Sequence, residues 1–234
     1  MCVACRSPAR ISFEPNVNSK IIDANMMRLW YNILKRKIAG GIFMLDLKLP
    51  FILASGSPRR KEILETMGIS FTVDASEVDE SFEGLPQDAV LELSRRKANA
   101  VAQRYMDAYV LAADTLVYAE HVLGKPGTKE NAVRMLRELS GKWHSVFTGM
   151  TLVYPRTQRM IQRICETRVH FVDMSDDDII AYAESGEPID KAGAYGIQGL
   201  GGMFVDRIEG SYSNVVGLPM SVLREMISEM NKDL

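Results

Sequence analysis

From Leu45 onward, short apolar runs alternate with segments whose apolar residues recur at helical spacing. Phe51, Ile52 and Leu53 form a run of the kind a buried strand uses. It leads directly into Ala54-Ser55-Gly56-Ser57-Pro58-Arg59-Arg60, after which Ile63, Leu64 and Met67 supply an apolar stripe. Ser57 is predicted to cap this helix and Pro58 to fill its first position, where a missing N–H costs nothing. Ser70–Asp74 reads as a strand, and Asp74–Pro86 as an acidic loop containing Gly and Pro. A long helix follows from about Asp88 to Tyr105, then a buried strand at Val110–Val117. Lys129–Leu139 reads as a helix closed by Gly141. Val146–Tyr154 and Ile164–Val172 read as strands joined by a polar link. Ser175 is placed to cap a helix over Asp176–Ser185, with acids in its first turn. After the glycine-dense stretch Gly193–Gly202 come two short strand candidates, Phe204–Ile208 and Tyr212–Val216. A last helix, Leu218–Met230, is begun by Pro219. With no internal repeat, the alternation predicts one α/β domain around a mixed, twisted sheet flanked by helices.

Composition narrows the class. The chain has 234 residues, 47% apolar and 25% charged, the mix of an ordinary globular domain. A net charge of −2 argues against broad nucleic-acid binding. Three cysteines argue against a disulfide framework, and no apolar run approaches the roughly 20 residues of a membrane span. The charge is uneven: residues 1–44 hold seven Lys/Arg and two acids, so the extension is basic and residues 45–234 are acidic. A helix is predicted over residues 26–38, with Arg28, Asn32, Lys35 and Arg36 on one face. Such a leader reads as a tail or as translated upstream sequence ahead of Met44, or else as an organellar (mitochondrial) targeting segment of an otherwise cytoplasmic protein. Cys2 and Cys5 have C-x-x-C spacing, but no second ligand pair follows that would complete a zinc site.

Five polar clusters fall at the edges of predicted elements. At Ser55–Arg60, backbone N–H groups, two hydroxyls and two guanidiniums converge on a helix start, an arrangement that attracts phosphate; the plainer reading is a capped surface helix. Val78-Asp79-Glu80 lies in the acidic loop, and Arg95-Arg96-Lys97 in the long helix. Asp114-Thr115 ends an apolar strand and is followed by Gly124-Lys125-Pro126. The fifth cluster joins Asp190-Lys191 to Gly196-Ile197-Gln198-Gly199. Asp114 is the sharpest candidate, because an acid within an apolar run is costly unless it is paired, holds metal or faces a cleft; otherwise it caps a turn. Glu80 could supply a second carboxylate, and two carboxylates facing a polyphosphate suit Mg²⁺. Lys97 and Lys125 could neutralise phosphate, although each taken singly reads as solvated surface. There is no G-x-x-x-x-G-K-[ST] run, G-x-S-x-G elbow or H-E-x-x-H pair. The glycines at 193–202 do not follow a strand and open a helix, so they fit a dinucleotide fingerprint poorly; they are expected to let a planar ligand approach closely.

In order along the chain stand LASGSPRR, the VDE loop, RRKA, AADT, LGKP, LSGKWHSVFTG, GEPIDKAGAYGIQGLGG and GSYSNVVGLP. Together these segments resemble the Maf family of nucleoside triphosphate pyrophosphatases, from about Leu45 to the C-terminus. The resemblance implies a Maf/ITPase-like fold, and hydrolysis of a nucleoside triphosphate to the monophosphate and pyrophosphate with a divalent metal (Mg²⁺ or Mn²⁺). It also implies a housekeeping role against non-standard nucleotides, an effect on septum formation, and homodimers. By position it implies Asp114 as proton acceptor, with Glu80 among the other polar site residues; Glu80 and Asp114 are then expected to be the catalytic carboxylates and the metal ligands. Ser55, Ser57, Arg60, Lys97 and Lys125 fall on the phosphates, and Arg59, Thr115 and Gln198 on the positions that select the base. Arg after Ser-Pro, Thr after the Asp and Gln within GIQG resemble the dTTP/UTP branch. The 7-methyl-GTP branch and a non-catalytic nucleotide-binding regulator of division stand as alternatives.

Overall fold

The computed structural model describes the backbone of Ile21–Ile22, Leu45 and residues 47–233. The helix predicted over 26–38, the Cys2/Cys5 pair and the targeting reading of residues 1–44 lie outside the described residues. In chain order the elements are β1 (Ile21–Ile22), β2 (Phe51–Leu53), α1 (Pro58–Thr66), β3 (Thr72–Val73), α2 (Pro86–Ala102), β4 (Tyr109–Ala119) and β5 (His121–Leu123). There follow α3 (Lys129–Leu139), β6 (Trp143–Tyr154), β7 (Arg159–Phe171), α4 (Asp176–Glu184), β8 (Val205–Glu209), α5 (Tyr212–Val216) and α6 (Met220–Met230). The expectation of an α/β domain around a mixed sheet holds. The described strands form one sheet in the order β1-β8-β7-β6-β4-β2-β3, with β5 paired to β4. Strand β2 runs parallel to β3 and β4, and the remaining pairs are antiparallel.

Alternation along the strands sorts side chains to two faces. Phe51 and Leu53 of β2, with Tyr109, Leu111 and Ala113 of β4, enter the large core shared with α1, α3, α4 and α6. Ile52 and Ala54, with Val110 and Ala112, pack instead on Ala98 and Val101 of α2. The same two-residue period turns Asp114 toward α2 and Thr115 toward the α1 side. Helix α2 lies close to the sheet because Gly149 of β6, paired with Asp114, has no side chain: a Cβ there would stand 2.3 Å from the Val90 carbonyl oxygen.

The parallel pairing also opens the site. Strand β2 pairs with β4 only as far as Leu53↔Leu111, and β5 takes up the same side of β4 again at Val117↔Leu123. Asp114 and Thr115 sit in the gap, beyond the carboxyl end of β2, where open α/β sheets place their ligands.

Several boundaries move. Tyr212–Val216 is a helix, not a strand: Ser211 caps it by accepting from the Asn214 N–H, and Gly217 ends it at φ 116°. In five residues, the apolar pattern does not separate the two periods. Strand β5 carries no turn signal, since its hairpin with β4 turns at Glu120 (φ 63°), a left-handed position where Gly or Asn is usual. Arg159–Arg163, read as link, is paired strand, so the true link shrinks to Pro155–Gln158. The strand expected over Ser70–Asp74 narrows to Thr72–Val73. Among the described residues, no helix is long and apolar enough to cross a membrane.

Candidate active site

All ten residues singled out from the sequence line one cleft of about 610 Å³: Ser55, Ser57, Arg59, Arg60, Glu80, Lys97, Asp114, Thr115, Lys125 and Gln198. Asp190, Lys191 and Tyr195, which carried no assigned role, line it as well. The volume lies within the range of small-molecule sites.

One wall is the start of α1. Beyond β2 the Ala54 N–H donates to the Leu111 carbonyl at 2.8 Å, which continues the parallel pairing with β4 by one residue. Ser57 occupies the N-cap position with extended backbone and Pro58 opens the helix, yet the Ser57 side chain makes no capping hydrogen bond. The adjacent hydroxyl does the local work: Ser55 Oγ accepts from the Ser57 N–H at 3.3 Å and from Arg60 Nη1 at 2.9 Å. Arg60 Nε donates to the Gly217 carbonyl at 3.0 Å, and Nη2 donates to Thr115 Oγ1 at 3.2 Å. Arg60 is therefore a strut between α1, β4 and the end of α5 as well as a cation. Burial lowers its affinity for the proton from the ordinary value, and Asp114 acts in the opposite direction. Thr115 lies 2.9 Å from Thr148 Oγ1, which donates to the Asn214 carbonyl at 3.2 Å. Only one direction satisfies the series: Arg60 donates to Thr115, Thr115 to Thr148, and Thr148 to the backbone of α5.

The opposite wall carries the carboxylates. Lys97 reaches out of α2 to Asp114 Oδ1 at 2.6 Å and to Glu80 Oε1 at 2.8 Å. The lysine, expected along the flank of a phosphate chain, lines the cleft and stands between the two acids, nine-tenths buried, as the cation that offsets them. Its hydrogen bond holds the Glu80 carboxyl below the usual range, against the opposing effect of burial. Arg95 and Arg96, its neighbours in sequence, turn to Glu92. Arg96 also donates to the carbonyls of Asp79 and Ser81 at 3.2 and 3.0 Å, gripping the acidic loop on both sides of Glu80.

The far end of the cleft is built differently. Tyr195 lines it, backed by buried His144, whose Nε2 lies 2.9 Å from the tyrosine hydroxyl. Burial pushes the His144 imidazole down to about 3, so it is neutral at ordinary pH. Of the glycines around Gln198, Gly196 lines the cleft, and the spaces at Gly196, Gly199 and Gly201 are taken up from within the fold. They receive side chains of the chain itself: a Cβ at Gly199 would stand 2.3 Å from Glu187 Oε2.

Among the described residues, no group of three or more His, Cys, Asp or Glu is arranged to hold a metal. Asp114 and Glu80 provide two, each giving one oxygen to Lys97. That donor set fits a hard divalent ion that completes its shell with water and ligand oxygens.

The family model of Maf-like proteins matches residues 50–230. The chain belongs to that family. Among curated Maf relatives, a "dTTP/UTP pyrophosphatase" of Geobacillus sp. (strain WCH70) is 50% identical over 173 residues, covering 73% of this chain and 92% of the relative. Proteins of the same name from Halalkalibacterium halodurans and Bacillus anthracis are 48% and 46% identical; these matches cover 74% and 78% of this chain, and 91% and 96% of the relatives. Among solved structures, the Staphylococcus aureus Ham1 protein matches with a TM-score of 0.44 at 12% identity, over 77% of this Maf-like chain and 99% of the Ham1 chain.

Proposed function

We propose that this chain hydrolyses nucleoside triphosphates, dTTP and UTP foremost, to the monophosphate and pyrophosphate, as a nucleotide-pool housekeeping enzyme. The observation that carries the reading is the convergence of Asp114, Lys97 and Glu80 with Arg60 and Ser55 in one cleft. Cations alone would serve binding; two carboxylates beside them serve chemistry. The names of the relatives, at 46–50% identity, point the same way.

In this reading the triphosphate lies along the start of α1, where free N–H groups, Ser55, Ser57 and Arg60 face its oxygens and Lys125 adds charge. Glu80 and Asp114 would hold a divalent cation together with phosphate oxygens; when bound, it supplies charge neutralisation and polarises the phosphoryl group. Asp114, clamped by Lys97, orients a water toward the α-phosphorus and takes its proton. The bond from the α-phosphorus to its bridging oxygen breaks, and pyrophosphate leaves with the electron pair. Arg60 is held by three hydrogen bonds before substrate arrives, so its charge needs little reorganisation as the leaving group develops. Arg59, Thr115 and Gln198 would select the base in this reading, an amide such as that of Gln198 presenting both a donor and an acceptor to a pyrimidine edge.

Pyrophosphate release from a panel of triphosphates, including dTTP, UTP, ATP and 7-methyl-GTP, with Mg²⁺ or Mn²⁺, tests the reading. Turnover of dTTP and UTP is expected. A preference for 7-methyl-GTP would move the chain to that branch. Tight binding without release would make it a sensor.

A further inference from the structure

Gln198 sits in a loop whose shape comes from residues that precede it in the chain, Tyr182, Glu187 and Lys191. The Gly199 N–H donates to the Gly196 carbonyl at 3.1 Å and the Gly202 N–H to the Gly199 carbonyl at 3.2 Å, giving two successive tight turns. Glu187 holds them. Its Oε2 accepts from the Leu200 N–H at 2.9 Å, and its Oε1 from the Gly201 N–H at 3.1 Å and the Tyr182 hydroxyl at 2.8 Å. Tyr182 Oη in turn accepts from the Gly196 N–H at 3.1 Å. Lys191 fixes the peg itself, donating to the Glu187 carbonyl at 2.7 Å.

The glycines are moulded onto these side chains. A Cβ at Gly201 would stand 2.4 Å from Tyr182 Oη, and one at Gly196 would stand 2.9 Å from Lys191 Cε; Gly199 meets Glu187 itself. Three donors converge on the two oxygens of Glu187, which suits a carboxylate and no amide, since an amide NH₂ would face a backbone N–H. Burial pushes the carboxyl up, but the Leu200 and Gly201 amides, the Tyr182 hydroxyl and the Lys191 charge together hold the group below the usual range. Neither Glu187 nor Tyr182 lines the cleft.

We propose that Glu187, assisted by Tyr182, is a positioning residue for base selection: it sets Gly196–Gly202 in the shape that presents Gln198 to the nucleobase. The inference rests on the pyrophosphatase reading above, in which Gln198 meets the base.

The test compares steady-state pyrophosphate release from UTP and ATP by the full chain and by Glu187→Gln and Tyr182→Phe. In Glu187→Gln, KM for UTP is expected to rise about tenfold while kcat falls less than about threefold, so selectivity for UTP over ATP drops about tenfold. Tyr182→Phe removes one bond and shifts the ratio in the same direction by about threefold. A merely structural role would lower kcat on both triphosphates alike and leave the ratio in place. If wild-type chain releases pyrophosphate with a pyrimidine preference and both variants keep that preference, the inference is overturned while the enzymatic reading stands. If wild type releases none from any triphosphate, the enzymatic reading fails and takes the inference with it. Should Glu187→Gln not fold, Tyr182→Phe decides alone.

Discussion

The two ends of the cleft are built on opposite principles. At the end that carries Asp114, charged side chains line the cleft and three of them are held by other side chains: Arg60 by Ser55 and Thr115, Asp114 and Glu80 by Lys97. Around Gln198, backbone does the shaping, and the charge that organises it, Glu187, does not line the cleft but accepts from two backbone N–H groups and the Tyr182 hydroxyl. Phosphate is the same in every nucleotide and calls for strong, preorganised fields. Base identity depends on where one amide sits, and hence on the exact course of a loop.

If the division is real, substitutions at one end should act on all triphosphates and those at the other on some. The largest effect is expected from Asp114→Asn, which removes the proton acceptor. Turnover should fall about a hundredfold or more on every substrate, with an unchanged circular dichroism spectrum. Normal turnover of dTTP by the folded variant would remove Asp114 from its role. Arg60→Ala comes next. It strips hydrogen bonds from the Gly217 carbonyl, Ser55 and Thr115 at a partly buried site, so stability should drop by roughly 1–3 kcal/mol in urea titrations, and KM should rise for purine and pyrimidine triphosphates alike. A rise confined to one base would dissolve the distinction between the ends. Gly199→Ala sharpens it from the other side. The new methyl meets Glu187, the loop must shift, and pyrimidine preference should fall several-fold with kcat on ATP nearly retained. The smallest effect concerns His144 beneath Tyr195. Its folded proton affinity lies below its unfolded value, so the unfolded chain takes up the extra proton. Stability from this group is complete above about pH 6.5 and is lost as pH falls toward 3. The thermal midpoint should therefore decline on acidification from pH 6.5 to 5, and less steeply in His144→Phe; equal slopes would show that the imidazole protonates without unfolding.

What could be read along the chain was set by local rules. A three-residue apolar run followed by Ser-Pro-Arg-Arg meets its own requirements for a strand and a helix start, and β2 and α1 form there. An Asp inside an apolar run is anomalous wherever the chain goes, so Asp114 stood out before any fold was known. Other features depend on partners distant in sequence. Tyr212–Val216 carries local helix signals at its ends, the Ser211 cap and Gly217, but its place beside the site depends on the bond from Arg60 to Gly217, 157 positions away. Lys97 was singled out as a cation for phosphate, but its bonds to both acids depend on the approach of α2 to the sheet over Gly149. The glycine-dense stretch announced close approach but not of what, because a glycine specifies missing volume and leaves its occupant to the tertiary structure. Here that occupant is Glu187 with its neighbours, brought in from the preceding turn.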